Sequence, residues 1–172
     1  MDLYTRSGIV PYFRHADGEF IFCFGIDRKS RDISDWGGTM KNGENIYTAA
    51  CRELNEESYG HITIDPTCLE NVSYVRSYED KLIIFFVEVE YNLIDSLITW
   101  MSQRKRTGEM IGVQLMSYIE IPRYAKKFYS PVYRALYTGR EEIYRMVSSG
   151  NFVATEPSKR EMVTTLPYFN NK

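Results

Sequence analysis

Apolar and polar positions alternate along the first part of the chain and then change period. Ser7 to Phe13 and Glu19 to Asp27 are β-rich runs joined by His15-Ala16-Asp17-Gly18. Asp-Gly between apolar segments marks a hairpin. In the second run Phe20, Phe22 and Phe24 share one face, and Ile21, Cys23 and Gly25 the other. A strand apolar on both faces belongs in the middle of a layered fold. Arg28 to Asp35 is polar and punctuated, hence a loop, and the glycines of Trp36-Gly37-Gly38 permit a tight turn close to a ligand or ion. From near Asn45 to Tyr59 the period becomes helical, with Gly60 as the expected stop. Tyr47, Ala50, Cys51, Leu54 and Ser58 form a stripe suited to the core, and Ala49, Glu53, Glu56 and Glu57 occupy the stripe beside it.

The second half continues the pattern. Leu69 to Tyr78 and Lys81 to Glu90 read as strands around a Glu79-Asp80 turn, and the continuously apolar Leu82–Val87 segment predicts a central strand. Leu93 to Gln103 has helical periodicity and runs into Arg104-Lys105-Arg106. Met110 to Tyr118 reads as a strand with Glu109 just before it. Ile121 to Ser149 is expected to be helical, broken near Ser130-Pro131 and again at Gly139. The expected organisation is a single domain over residues 1–150 and an extended C-terminal tail over 151–172.

Composition narrows the class. With 172 residues and 44% apolar content, the chain suits one globular domain with a real core. The N-terminal MDLYTRSGIVPYF lacks the apolar region of a secretory signal, and no apolar run is long enough to span a bilayer. Three cysteines without C-x-x-C spacing suit reduced thiols, so the expectation is a cytoplasmic protein without a membrane partner. Residues 1–100 carry 9 Lys/Arg against 17 Asp/Glu, whereas residues 101–172 carry 12 against 6. An acidic half facing a basic half suits a phosphate-rich ligand, although charge drift along a chain gives the same numbers.

The acidic stripe carries the chemistry. Glu53, Glu56 and Glu57 stand at i, i+3 and i+4 on one helical face, where each like-charged pair costs a few tenths of a kcal/mol. A divalent cation among them removes that repulsion. A solvated face is the plain alternative, but this stripe adjoins the buried one. His15 reads as a solvated loop residue, His61 as structural, and the basic cluster of Arg28 to Asp35 as solvated. Trp36 either packs on its glycines or stacks on a base. Between Ile121 and Ser149, aromatics such as Tyr133 and Tyr137 interleave with Arg134 and Arg140. That pattern can make a single-stranded nucleic-acid surface, but an amphipathic helix covering a sheet is the favoured reading, since burial alone produces it.

Together these residues resemble the Nudix box, G-x5-E-x7-R-E-U-x-E-E-x-G-U, where U is aliphatic. Gly38, Glu44, Arg52, Glu53, Leu54, Glu56 and Glu57 match it. Six such invariant positions coincide by chance on the order of once in 10⁷ starting points. Tyr59 and Gly60 depart from it, standing where the pattern has glycine and an aliphatic residue. The expected reason is a helix that runs one residue longer before its glycine stop.

The resemblance implies an α/β fold, an α/β/α sandwich around a mixed β-sheet. It also implies a Mg²⁺- or Mn²⁺-dependent hydrolase of a pyrophosphate bond in a nucleoside diphosphate linked to another moiety. Glu53, Glu56 and Glu57 then hold metal, with the carbonyl of Gly37 or Gly38 and with Glu109 as further ligands. One of the glutamates, Glu109 included, serves as general base, while Glu44 and Arg52 pair to pin the loop to the helix. Tyr74 and Tyr78, together with Trp36, are the substrate-binding candidates. A nucleotide on RNA, such as the 5′ cap, is an alternative substrate, reached through the basic C-terminal half. A non-catalytic nucleotide-binding module is the other alternative, and a homodimer stays open.

Overall fold

The computed structural model of the chain describes residues 3–103 and 108–151. The expected tail beyond Asn151 and the basic Arg104-Lys105-Arg106 triplet lie outside the described residues. The hairpin forms from β1 (Arg6–Arg14) and β2 (Phe20–Asp27), with Tyr12 opposite Phe22 and Arg14 opposite Phe20. Gly18 closes its turn at φ 89°, a left-handed conformation that glycine adopts without steric penalty.

Among the described residues, seven strands make one mixed sheet. After the hairpin come β3 (Ile33–Ser34), β4 (Trp36–Thr39), β5 (Tyr74–Ser77), β6 (Leu82–Glu88) and β7 (Met110–Ser117). The order β3-β2-β1-β6-β5 places β6 inside the sheet, parallel to β1, as its apolar run requires. β7 lines the other edge of β2. Beyond the hairpin, β1 and β2 diverge. Ser7 and Gly8 pair with Gly38 and Gly37 of β4, while Gly25 and Ile26 pair with β3. The loop read over Arg28–Asp35 is present from 28 to 32, but its end and the expected Trp36-Gly37-Gly38 turn are corrected: Ile33–Ser34 and Trp36–Thr39 fill the fork as short strands. Tertiary pairing overrides the local polar and glycine signals. The strand expected from Leu69 begins only at Tyr74, because Pro66–Leu69 forms a 3₁₀ turn that sinks Leu69 into the core.

Helices cover both faces. α1 (Ile46–Glu57) and α2 (Tyr91–Gln103) lie on one side, where Ala50, Leu54, Ile94 and Leu97 join Cys23, Trp36, Ile83 and Phe85. α3 (Ser130–Thr138) and α4 (Arg140–Asn151) cover the other, with Val132, Leu136 and Ile143 packed among Phe20, Phe22, Phe24 and Phe86. The two faces of β2 thus enter two separate clusters, as its alternation predicts. The stretch from Ile121 towards Ser130, read from sequence as the first piece of a broken helix, is instead largely 3₁₀: the segment Tyr118–Lys127 contains Pro122, which cannot donate to a helical ladder. Among the described residues, no helix is long and apolar enough to cross a membrane.

Candidate active site

The acidic stripe of α1 faces the fork between β1 and β2. Asn45 starts the helix, its side-chain oxygen accepting from Thr48 N at 2.8 Å. Ala50, Cys51 and Leu54 are buried, and so are Glu53 and Glu57 of the neighbouring stripe, while Glu56 stays exposed. Ser7 fixes the helix start to the sheet by donating to Ile46 O at 2.7 Å. Gly38 lies against Glu53: a Cβ on Gly38 would meet the Glu53 carboxylate at 2.6 Å. Its lack of a side chain is thus a spatial requirement, one that brings the β4 backbone up to a carboxylate.

Arg52 organises the polar side of the cluster. Its guanidinium donates to Glu44 through Nε at 2.6 Å and Nη2 at 2.9 Å, and Nη2 also reaches Thr39 O at 3.2 Å. The Arg52 hydrogen bonds, with help from Lys41 N, hold the Glu44 carboxyl down at about 2. The expected pairing of Glu44 with Arg52 is present and ties the box loop to the helix. Arg52 Nη1 further donates to Glu53 at 3.0 Å and to Glu56 at 3.3 Å.

Glu57 has no such partner. It is 7% exposed, and among the described residues nothing hydrogen-bonds its buried Oε1. Burial, followed by the charges of Asp35, Glu53 and Glu109, pushes its carboxyl up to about 10, against a smaller opposing effect of Arg6. Burial also raises Glu53, opposed by Arg52 and reinforced by Glu56 and Glu109. Glu109, although exposed and distant in sequence, therefore acts electrostatically on both. A cleft of about 270 Å³ opens over Glu57, its other walls including Arg6, Asp27, Ser30, Asp32, Gly37 and Tyr129.

Two residues of this site escaped the sequence reading. Asp35, fully buried between β3 and β4, accepts from Arg6 Nη2 at 2.6 Å and Nη1 at 3.0 Å, and from Ser34 Oγ at 3.0 Å. The Arg6 guanidinium also stands 5.7 Å over the Tyr129 ring. An acid enclosed by Ile33 and Trp36 was the available signal, though the surrounding polarity masked it.

Trp36 is corrected. It is fully buried and donates Nε1–H to Cys23 O at 3.0 Å, so it packs and cannot stack on a ligand. Tyr74 and Tyr78 remain exposed and flank Arg76, whose guanidinium lies 5.7 Å and 4.5 Å from their ring centres. Gly38, Ser7, Ile83 and Arg76 are successive register partners across β4, β1, β6 and β5. Arg76 thus stands three strand spacings, about 14 Å, from Gly38.

The donor set fits a hard divalent cation. The charges of Asp35, Glu53 and Glu109 act on a buried glutamate with an oxygen unpartnered among the described residues, and a cation there would relieve both the repulsion and the orphaned acceptor. Among the described residues, no three acidic, imidazole or thiol side chains are grouped as a metal cage. Glu53 and Glu56 instead share Arg52.

The chain is similar in structure to a C. elegans Ap4A hydrolase at 15% identity, with a TM-score of 0.52 over 84% of this chain and 97% of that one. It is also similar to RenU, a Nudix hydrolase from M. smegmatis, at 9% identity and a TM-score of 0.54 over 85% and 90% of the two chains. No family model and no curated protein matches the sequence.

Proposed function

Because the chain has the Nudix fold, we propose that it is a Mg²⁺- or Mn²⁺-dependent hydrolase of a pyrophosphate bond in a nucleoside diphosphate linked to another moiety. The observation that carries this reading is Glu57, a carboxylate buried among acids with one oxygen unpartnered among the described residues. Glu53, Glu56, Glu57 and Glu109, with the Gly38 carbonyl, would hold the cation. When bound, a divalent cation supplies charge neutralisation to phosphate oxygens and acidifies water. Arg52 keeps Glu53 and Glu56 on one side of the helix, and Glu44 keeps Arg52 there. A cluster carboxylate accepts the proton of the attacking water. The water oxygen then bonds to one phosphorus, and the bridging P–O bond of the anhydride breaks. Arg6, clamped by Asp35, offers a fixed guanidinium at the cleft wall for a phosphate oxygen.

The nucleoside end is assigned to β5. Tyr74 and Tyr78 present exposed rings on either side of Arg76, which stands about 14 Å from the box glycine by the strand spacing, room for phosphates between base and metal face. A small nucleotide is favoured over RNA, because the aromatic residues of α3 and α4 are largely spent on packing. Turnover of a panel tests the reading: nucleoside diphosphate sugars, dinucleoside polyphosphates including Ap4A, inositol pyrophosphates and capped RNA, each with Mg²⁺, Mn²⁺ or EDTA. The expected result is metal-dependent release from at least one small nucleotide. Binding without release across the panel would mark a non-catalytic module instead.

A further inference from the structure

α1 ends in a way that its sequence disguises. Gly60 N donates to Asn55 O at 2.8 Å and Tyr59 N to Glu56 O at 3.2 Å, the hydrogen-bond pair of a Schellman cap. Tyr59 holds the left-handed position of that cap, at φ 55°, and Gly60 follows at φ 79°. The helix does not run one residue longer, as the sequence reading expected. It stops at Glu57, and a tyrosine occupies the strained position where the box pattern carries glycine. A left-handed residue other than glycine costs about 1 kcal/mol or more, so the side chain is the place to look for a compensating role.

That side chain reaches the segment bearing Glu109. The Tyr59 hydroxyl donates to Met110 O at 3.2 Å, and its ring lies 4.4 Å from Trp100 of α2. Any Cβ on Gly108 would overlap the Tyr59 hydroxyl, so the two are in close contact. From the opposite side, Arg28 donates its backbone N–H to Glu109 O and its Nε to Gly108 O, both at 2.8 Å. Three consecutive carbonyls, at 108, 109 and 110, are thereby gripped by one residue from the helix exit and one from the end of β2.

We propose that Tyr59 is a positioning residue for Glu109, a strut that holds this distant carboxylate beside Glu53 and Glu57. The strut makes chemical sense only if Glu109 belongs to the hydrolytic cluster, so the inference rests on the function proposed above. The strain at Tyr59 is then the cost of linking the α1 exit to the start of β7. Tyr59→Gly restores the unstrained cap while deleting the strut, and Tyr59→Phe deletes only its hydrogen bond.

Amide hydrogen exchange at residues 108–112 reads the strut without any substrate. Tyr59→Gly is expected to speed it about tenfold, the loss of roughly one hydrogen bond, with a smaller effect from Tyr59→Phe. In turnover, Tyr59→Gly is expected to lower kcat about tenfold or more and to leave KM within about twofold. In the Glu109→Gln background the same change should lower kcat by less than about twofold, since the strut then has nothing to position. Unchanged exchange, or a full multiplicative loss in the Glu109→Gln background, overturns the proposal. If Tyr59→Gly does not fold, Tyr59→Phe takes its place in both measurements. If the wild-type protein hydrolyses nothing, the functional reading fails, and exchange alone still decides whether Tyr59 fixes this segment.

Discussion

Glu57 concentrates the electrostatic tension of the molecule in one carboxyl. Its folded-state value of about 10 lies far above the roughly 4.3 of a free glutamate. Between those values the folded state keeps a proton that the unfolded chain has released, so stability falls as pH rises through that window. Without divalent ions, the melting temperature should therefore decline from about pH 5 towards pH 9, and Glu57→Gln should flatten that decline. Mn²⁺ should raise the melting temperature of the wild type and do much less for Glu57→Gln. A flat wild-type response to Mn²⁺ in thermal-shift measurements contradicts the metal assignment. Glu44 has the opposite sign. Its carboxyl is held at about 2, so its pairing with Arg52 contributes above the free value near 4.3 and is lost as pH falls towards 2. Glu44→Gln is expected to lower stability by about 1 kcal/mol at pH 7, measured by denaturant unfolding. The box residues were legible because their spacing is local to one helix and one loop. Asp35 and Arg6 were not, because 29 residues separate them and only the sheet brings them together.

The β1–β4 pairing is the element on which the site depends. Gly8 and Gly37 face each other in register, and a Cβ on Gly37 would meet Asp35 Oδ2 at 2.6 Å. A Cβ on Gly8 would overlap the same oxygen. Gly8→Ala is therefore expected to destabilise by about 2–3 kcal/mol, read as a shift in the unfolding midpoint, because backbone and a buried acid cannot both yield. Gly43→Ala is the control: the space around it is open, and only its φ of 86° opposes the change, for about 1 kcal/mol. A Gly8→Ala variant no less stable than Gly43→Ala would show that the fork is looser than described. The hairpin, β6 and α2 could be read from alternation and period alone. β3 and β4 could not: β4 pairs with β1 across more than twenty residues, and β3, although close in sequence to its β2 partners, sits in a polar stretch. The exit of α1 was misread for a related reason: glycine is the default left-handed residue, and a tyrosine there became legible only through its contact with Gly108.

At the scale of the whole molecule, the basic and aromatic helices α3 and α4 close the second layer of the sandwich. Arg134 forks onto Asp80 at 2.7 and 2.8 Å, Arg145 pairs with Glu142 at 2.8 Å, and Arg140 lies 4.4 Å over Tyr137. Rings of α3 and α4 pack on the sheet and these cations have protein partners, an arrangement in keeping with one of the two explanations that sequence left open. The proposed chemistry is placed at the fork, where β4, α1 and the start of β7 bring Gly38 against Glu53, and Glu109 within electrostatic reach of Glu53 and Glu57, from three separate points along the chain. The most direct measurement is hydrolysis of a pyrophosphate-linked nucleotide panel in Mn²⁺ by the wild type and by folded Glu57→Gln. The expected result is metal-dependent product release by the wild type and a loss of about a hundredfold or more in kcat for Glu57→Gln. Equal turnover by the two proteins, or turnover undiminished by EDTA, would contradict the account.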